Sequence, residues 1–436
     1  MVDFKLSRDQ QMYRDTAREF ATRELRPAAD AIRRRNPQTH APWDLFRDVF
    51  GQAADLGFTK LLIPETYGGL GGSCLDNVVI MEEFGAADLG LAASFLNVSM
   101  TSPIIIINGA DEAQRRQWLG EICESRDFVL ASASSEPDVA GADAFCPIPD
   151  PRIGLKTQAR SDGDDYVLNG SKAGFSTNAG AAKAYFVMAR TDLTQPAMAS
   201  TSMFLVPADS EGLTVGRKTE MIGWKTAQHA PVYLDDVRIP RFNRIGAEGA
   251  NAALFFQKTI PYLASGLGAC YVGMARAAFE YAFKYAHERI SWGQPIVNHQ
   301  AVALKLAEMA AEVEAARLMV WRLACAADEQ DPRGAGMLSP AAKTIAVDVA
   351  IRNAERAVKI LGGYGLAEEY DTSHFLTDAW VGESCDGTRD MLLLGLINFL
   401  RTERGLLQMG PPGADRPPEA AHRSRAGGPP GGMPPG

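Results

Sequence analysis

Apolar residues recur at spacings of three and four across positions 10–20, 44–56 and 78–84, so the first 127 residues read mainly as helices. Between them, Pro64-Glu65-Thr66-Tyr67-Gly68-Gly69-Leu70-Gly71-Gly72 cannot continue a helix and reads as a turn-rich loop. From about residue 128 to 240 the pattern shifts to short β-type runs, such as Tyr166-Val167-Leu168, Ala184-Tyr185-Phe186-Val187-Met188 and Ser202-Met203-Phe204-Leu205-Val206, separated by Gly, Asp and Asn. The helical period then returns with few interior breakers over 260–289, 300–327 and 340–361. The pattern predicts an α+β multidomain chain. It has an N-terminal helical domain (1–127), a middle β domain (128–240) and a C-terminal bundle of three or four long antiparallel helices (241–408). Residues 409–436 are rich in Pro and Gly and nearly lack large apolar side chains, which predicts a disordered tail. No repeat at solenoid spacing is present.

Composition narrows the function classes. With 46% apolar and 22% charged residues the chain is ordinary globular protein, and its net charge of -9 supplies no basic field for nucleic acid. No apolar run approaches the ~20 residues of a membrane span, and the N-terminus lacks the apolar stretch of a signal peptide. The reading is a cytoplasmic protein with no membrane partner. The six cysteines show no CxxC and no paired spacing with the six histidines, so neither a disulfide framework nor a metal site is predicted, and the thiols are expected to be buried.

Five segments carry candidate chemistry. Ser134-Ser135-Glu136-Pro137-Asp138-Val139-Ala140-Gly141-Ala142-Asp143 offers hydroxyls and backbone N–H groups in one loop. Phe175-Ser176-Thr177-Asn178-Ala179 puts an aromatic ring and hydroxyls at a strand end. Residues 281–300 read as a helix ending at Gly293-Gln294-Pro295, which can present Arg289 to a pyrophosphate and Gln300 to a neighbouring polar group. Lys359-Ile360-Leu361-Gly362-Gly363-Tyr364-Gly365 is a glycine turn open to a phosphate or ribose. Cys385-Asp386-Gly387-Thr388 sets a carboxylate in a turn. Taken singly, these read as a Ser/Pro/Asp turn, a strand end, an amphipathic helix pair, a glycine turn and an Asp-Gly turn.

In this order, over about 400 residues, the five segments resemble the acyl-CoA dehydrogenase superfamily. They match its T-E-P-x-x-G-S-D loop, W-I-T-N-A strand, Y-x-x-x-R-x-x-F-G-x-x-(I/V)-x-x-x-Q segment, I-L-G-G-x-G turn and Y-E-G-T segment. The resemblance implies FAD held by Ser134, Ser135, Phe175, Ser176, Thr177, Arg289, Ser291, Trp292, Gln300, Lys359, Gly362, Gly363 and Thr388. Asp386 stands where the family has its catalytic glutamate. That carboxylate removes the proton α to a thioester carbonyl while the β hydride passes to the flavin.

Several positions depart from the family pattern. Asp386 is one methylene shorter than glutamate, Phe175 replaces tryptophan, an extra residue follows Lys172, and Lys359 replaces glutamine. Gln257 and Ile260 replace the aspartate and arginine that contact CoA, leaving Lys258 as a partial substitute. Asp386 and the missing arginine resemble features of nitroalkane oxidase, a relative, although its helical arginine has no match at Leu393; Arg389 is nearby, as a candidate or as a surface charge paired with Asp390 or Glu383. Two functions follow. The first is α,β-dehydrogenation of an acyl thioester carried by CoA or a carrier protein. The second is oxidation or N-hydroxylation of a small non-thioester substrate. A scaffold that has lost catalysis is the non-enzymatic alternative. The resemblance also implies an electron-transfer flavoprotein or oxygen as acceptor, and a homotetramer or homodimer.

Overall fold

The computed structural model describes residues 5–34, 43–146, 148–250 and 258–406. Gln257 and the Pro/Gly-rich tail lie outside the described residues. The first layer is helical: α1 (Arg8–Phe20), α2 (Arg26–Arg34), α3 (Asp44–Asp55), α4 (Cys74–Ala87), α5 (Leu89–Leu96), α6 (Ser102–Gly109) and α7 (Glu112–Glu124). Helix α1 begins in a capping box, in which Ser7 Oγ accepts from Gln10 N at 3.1 Å and Gln10 Oε1 accepts from Ser7 N at 3.0 Å. The stretch Leu89–Gly109 corrects one expectation. It is long and apolar enough to cross a bilayer, yet 94% of its most apolar window is buried inside the protein, as befits a core helix.

The middle layer contains β1 (Leu130–Ala133), β2 (Gln158–Asp162), β3 (Asp165–Ser176), β4 (Ala184–Arg190), the short helix α8 (Ala197–Ser200), β5 (Thr201–Pro207), β6 (Leu213–Val215), β7 (Ala230–Pro240) and β8 (Arg244–Ile245). The strands run in the order β6-β7-β3-β2-β4-β5-β8, and β1 lies parallel to β4. Strands β3 and β7 are antiparallel, with Lys172 opposite Val232 and Ser176 opposite Ala230. Four positions on β3 therefore match two on β7, and the extra residues form a bulge. The residue that the sequence inserts after Lys172 is absorbed here, next to the site.

The last layer is the bundle of α9 (Ile260–Glu288), α10 (Gln300–Asp328), α11 (Pro332–Leu361), α12 (Thr372–Val381) and α13 (Arg389–Glu403), with the hairpin β9 (Ile290–Ser291) and β10 (Gln294–Pro295) after α9. Helix α11 starts eight residues before the predicted boundary and carries Pro340 in its interior. Buried Asn353 on α11 donates to Ala275 O at 3.2 Å and Met309 O at 3.3 Å, cross-linking α9, α10 and α11. Helix α4 lies against α9 so closely that a Cβ on Gly85 would sit 2.1 Å from Cys270 O, and one on Gly273 1.9 Å from Glu82 O. Only glycine permits that approach.

Two further expectations are corrected. Residues 391–400 read as helix core, but α13 has no buried residue, and Met391, Leu394 and Ile397 are exposed. Apolar periodicity identifies a face without saying what covers it. Of the six free cysteines only Cys74 and Cys270 are buried; Cys325 is exposed and the other three are half-buried. Among the described residues no group of three metal-ligating side chains occurs.

Candidate active site

The Ser134-Ser135-Glu136 loop is held from below by a buried ion pair. Lys172 Nζ lies 3.0 Å from Glu136 Oε1, and both side chains are almost wholly buried. Glu136 also accepts from the backbone N–H of Lys156 at 2.6 Å and Thr157 at 2.9 Å. Burial alone would raise the Glu136 carboxyl, but the charge of Lys172 and these donors hold it below its ordinary value. Burial pulls Lys172 down to about 8 against the attraction of Glu136. The two directions disagree about how comfortable the pair is. The geometry, with every Glu136 oxygen engaged, favours the ionised pair. Lys172 Nζ also donates to Ser134 O at 3.2 Å, and Ala173 N to Ser135 O at 2.8 Å. Both serine carbonyls thus point inward, while the residues stay half-buried.

At the end of β3 the predicted residues divide. Phe175 is 61% exposed, on the bulge. Ser176 is buried and donates its hydroxyl to Ala173 O at 3.0 Å, so its side chain serves the bulge. Thr177 Oγ1 lies 3.2 Å from Nε2 of His229. Asn178 takes a left-handed backbone, φ 66°, and donates to Ser94 O at 2.9 Å and Leu130 O at 3.1 Å, fastening the strand end to α5 and β1. Buried His229 has its other ring nitrogen, Nδ1, 3.2 Å from Met221 Sδ. Burial, aided by the charge of Lys218, pulls its pKa down to about 4, so the ring is neutral at pH 7.

A chain of contacts leads from Thr177 to Asp386. The His229 ring centroid is 6.1 Å from that of Trp224, which is 6.4 Å from that of Tyr271, whose hydroxyl is 4.0 Å from Cys385 Sγ. Trp224 N donates to Asp378 on α12 at 2.6 Å, locking this loop of the β domain onto the bundle. Asp386 and Gly387 both have positive φ, 47° and 97°. Aspartate tolerates the left-handed region better than most side chains, and glycine tolerates it freely. The turn is spanned from α11 by buried Lys343, whose Nζ donates to Gly382 O at 2.5 Å and Gly387 O at 3.0 Å.

Burial raises the Asp386 carboxyl, and Lys343 opposes that rise without cancelling it. By surface area the residue is nevertheless exposed. The carboxylate is thus reachable by solvent while protein atoms crowd part of its surroundings. Contact with solvent moderates the rise, and a ligand that expels water from the carboxylate restores the full effect. Burial also pushes the neighbouring Cys385 thiol up to about 12, so it is no nucleophile at neutral pH. Thr388 is the N-cap of α13, but its side chain makes no capping bond. Arg389 is neither free nor paired chiefly with its neighbours; its Nε and Nη2 donate to Asp348 at 2.9 and 3.0 Å.

A second cluster forms around the α9 end. Arg289 is the C-cap of α9 and lies 5.6 Å from the Tyr364 ring centroid, bringing the arginine and the Gly362-Gly363 turn together. No carboxylate pairs with Arg289 among the described residues. A Cβ at Gly362 or Gly363 would meet no atom within 4 Å, so the turn borders open space. Trp292 and Gly293 have φ 52° and 72° at the hairpin tip, and Trp292 is 94% exposed. Ser291 O lies 3.2 Å from His299 Nε2, Gln300 is exposed at the start of α10, and Lys359 lies 3.6 Å from Glu355 on the surface. No hydrogen bond runs directly from this cluster to the one around Thr177 among the described residues.

Sequence reasoning singled out neither Glu136, Lys172, His229 nor Lys343 as functional. The signal for Lys343 was a charge isolated among the uncharged residues 334–347 of α11, whereas β3 mixes buried, half-buried and exposed positions and carried no such signal for Lys172.

Three sequence families match in the same order: the acyl-CoA dehydrogenase N-terminal domain over residues 7–126, the middle domain over 131–237 and the C-terminal domain over 255–398. The mitochondrial isobutyryl-CoA dehydrogenase of Dictyostelium discoideum is 32% identical over 392 residues, 89% of this chain and 88% of the relative. The butyryl-CoA dehydrogenase structure from Megasphaera elsdenii superposes with a TM-score of 0.83 at 30% identity, covering 92% of this chain and 100% of that one. A chain in a structure described as the electron transferring flavoprotein of Acidaminococcus fermentans superposes with a TM-score of 0.82 at 31% identity, covering 92% and 99%. With its helical, β and helical layers all matched, the chain belongs to the acyl-CoA dehydrogenase family.

Proposed function

We propose that this protein binds FAD and dehydrogenates a short acyl thioester, with Asp386 as the base that removes the α proton. The observation that carries the reading is the Asp386 carboxylate itself. It lies on a turn with two consecutive positive φ angles, within reach of solvent, and burial raises it toward the basicity that a carbon acid demands. Relatives named for butyryl- and isobutyryl-CoA support a short acyl group.

The residues present fit the cofactor. Half-buried Ser134, Ser135 and Thr177 line one polar edge, and Thr388 offers an uncommitted hydroxyl. Arg289 and the open Gly362-Gly363 turn match a pyrophosphate and its ribose. When bound, FAD supplies the acceptor for the β hydride. The chain's own tasks are to hold the base, orient the thioester and exclude water. Lys343 fixes the carbonyls on either side of Asp386, and the wall of Trp224 and Tyr271 keeps the neighbourhood apolar.

The two clusters are read as halves of sites completed between copies of the chain, in a homotetramer or homodimer. Support comes from the exposed Trp292 tip, from Leu366 at 75% exposure and from the uncovered face of α13. The electron acceptor is read as an electron-transfer flavoprotein, with oxygen as the alternative. Arg389 no longer supports the nitroalkane reading, because its guanidinium is bound bidentately by Asp348.

An anaerobic titration tests this. Purified protein should be yellow, and butyryl-CoA or isobutyryl-CoA should bleach its visible flavin band. Bleaching by a nitroalkane but by no thioester would reverse the choice, and a colourless protein would remove both readings.

A further inference from the structure

His229 is a buried histidine whose two ring nitrogens both have assigned neighbours. Nδ1 faces Met221 Sδ at 3.2 Å. A thioether sulfur can only accept, so this contact is favourable when Nδ1 carries the proton and repulsive when it carries a lone pair. The neutral ring then has its lone pair on Nε2, 3.2 Å from Thr177 Oγ1. The Thr177 hydroxyl therefore donates its one proton inward, to the imidazole. What remains on the outer side of that oxygen is lone pairs.

Resting on the reading that Thr177 faces a flavin, we infer that His229 is a positioning residue that fixes the Thr177 hydroxyl as a hydrogen-bond acceptor and thereby favours the reduced cofactor. The chemistry is general. An oxidised isoalloxazine presents a bare N5, which accepts, whereas two-electron reduction places a hydrogen on N5, which donates. An oxygen committed as acceptor satisfies only the second form. The low pKa of His229 agrees with this arrangement, because a protonated ring would donate from Nε2 and free the Thr177 hydrogen to point outward.

The test is the flavin's midpoint potential in the holoenzyme, read from the visible spectrum during anaerobic reduction against a reference dye. His229→Leu should lower the potential, and His229→Gln, whose amide oxygen can accept from Thr177, should keep it near the unaltered value. In a Thr177→Val background His229→Leu should change nothing further. A potential that is unmoved or raised by His229→Leu, or that falls equally in the Thr177→Val background, overturns the inference. Selective ¹⁵N-histidine labelling of the unaltered protein supplies a measurement independent of the variants' folding. A protonated Nδ1 with a bare Nε2 supports the assignment, and the opposite tautomer overturns it. Failure of the FAD reading is distinguishable, since the purified protein would then carry no flavin at all.

Discussion

Lys343 Nζ donates to the carbonyl oxygen of Gly387, the residue that follows Asp386, at 3.0 Å. With its second bond to Gly382 O it staples a turn containing two consecutive positive φ angles to the long helix α11. Its charge also opposes the rise of the Asp386 pKa. Replacing it with methionine would leave two carbonyls without their cationic donor and should destabilise the protein by about 3 kcal/mol. In Lys343→Met the acid limb of the rate of flavin reduction should move to higher pH, because the base loses the cation that lowers its pKa. A pH profile by stopped-flow checks both the direction and the rate. An unmoved limb alongside normal stability would remove Lys343 from any role at Asp386.

Asp386→Asn separates base from scaffold. The amide keeps nearly the same shape, and asparagine is also at home in the left-handed region at φ 47°. Folding and flavin content should therefore hold, while reduction by an acyl-CoA falls about 10²–10⁴-fold. Full activity would relocate the base, and loss of flavin would show the residue to be structural.

Much of the architecture was legible because period and turn chemistry are local. The predicted β runs fall within β3, β4 and β5, and the long helices 260–289 and 300–327 match α9 and α10 within a residue. Pro340 misled the reading of α11, because a proline biases against helix interiors while packing across the bundle overrides it. The family resemblance singled out Thr177 and Asp386 as candidates and counted Ser176 among the cofactor-binding residues, yet the Ser176 hydroxyl is spent on Ala173 O within the bulge. His229 and Lys343 escaped notice for a physical reason. Each acts on a residue distant in sequence, 52 positions away for His229 and Thr177, and the β-strand and helix periods carry no information about such pairings.

The Glu136 and Lys172 pair gives a prediction with two arms. Removing one partner of a buried pair strands the other charge, so Glu136→Gln or Lys172→Met alone should cost about 3–5 kcal/mol. The Ser134-Ser135 loop should loosen as well, since Lys172 holds Ser134 O. The double replacement should recover most of the stability without recovering the loop. Urea unfolding measures the first and flavin retention the second. If the double variant were as unstable as the worse single one, the cost would lie in packing rather than in a stranded charge.

His229 predicts how stability depends on pH. Its folded pKa of about 4 lies below the ordinary value of 6.5 because burial disfavours the imidazolium. Between those values the unfolded chain binds a proton that the native state does not, so stability falls as pH drops from about 6.5 towards about 4 and is fully present above that window. The contribution amounts to about 3 kcal/mol at 1.36 kcal/mol per tenfold change in proton affinity. Many carboxylates titrate in the same range, so the comparison must be between the unaltered protein and His229→Gln. Urea midpoints at pH 7 should be similar for the two, and at pH 4.5 the unaltered protein should have lost more stability than the variant. Parallel curves would mean that folding leaves the His229 pKa unshifted, whereas a variant that loses more stability than the unaltered protein at pH 4.5 would mean that the folded ring holds its proton more tightly than the unfolded one, which would reverse the donor and acceptor roles assigned to it and Thr177.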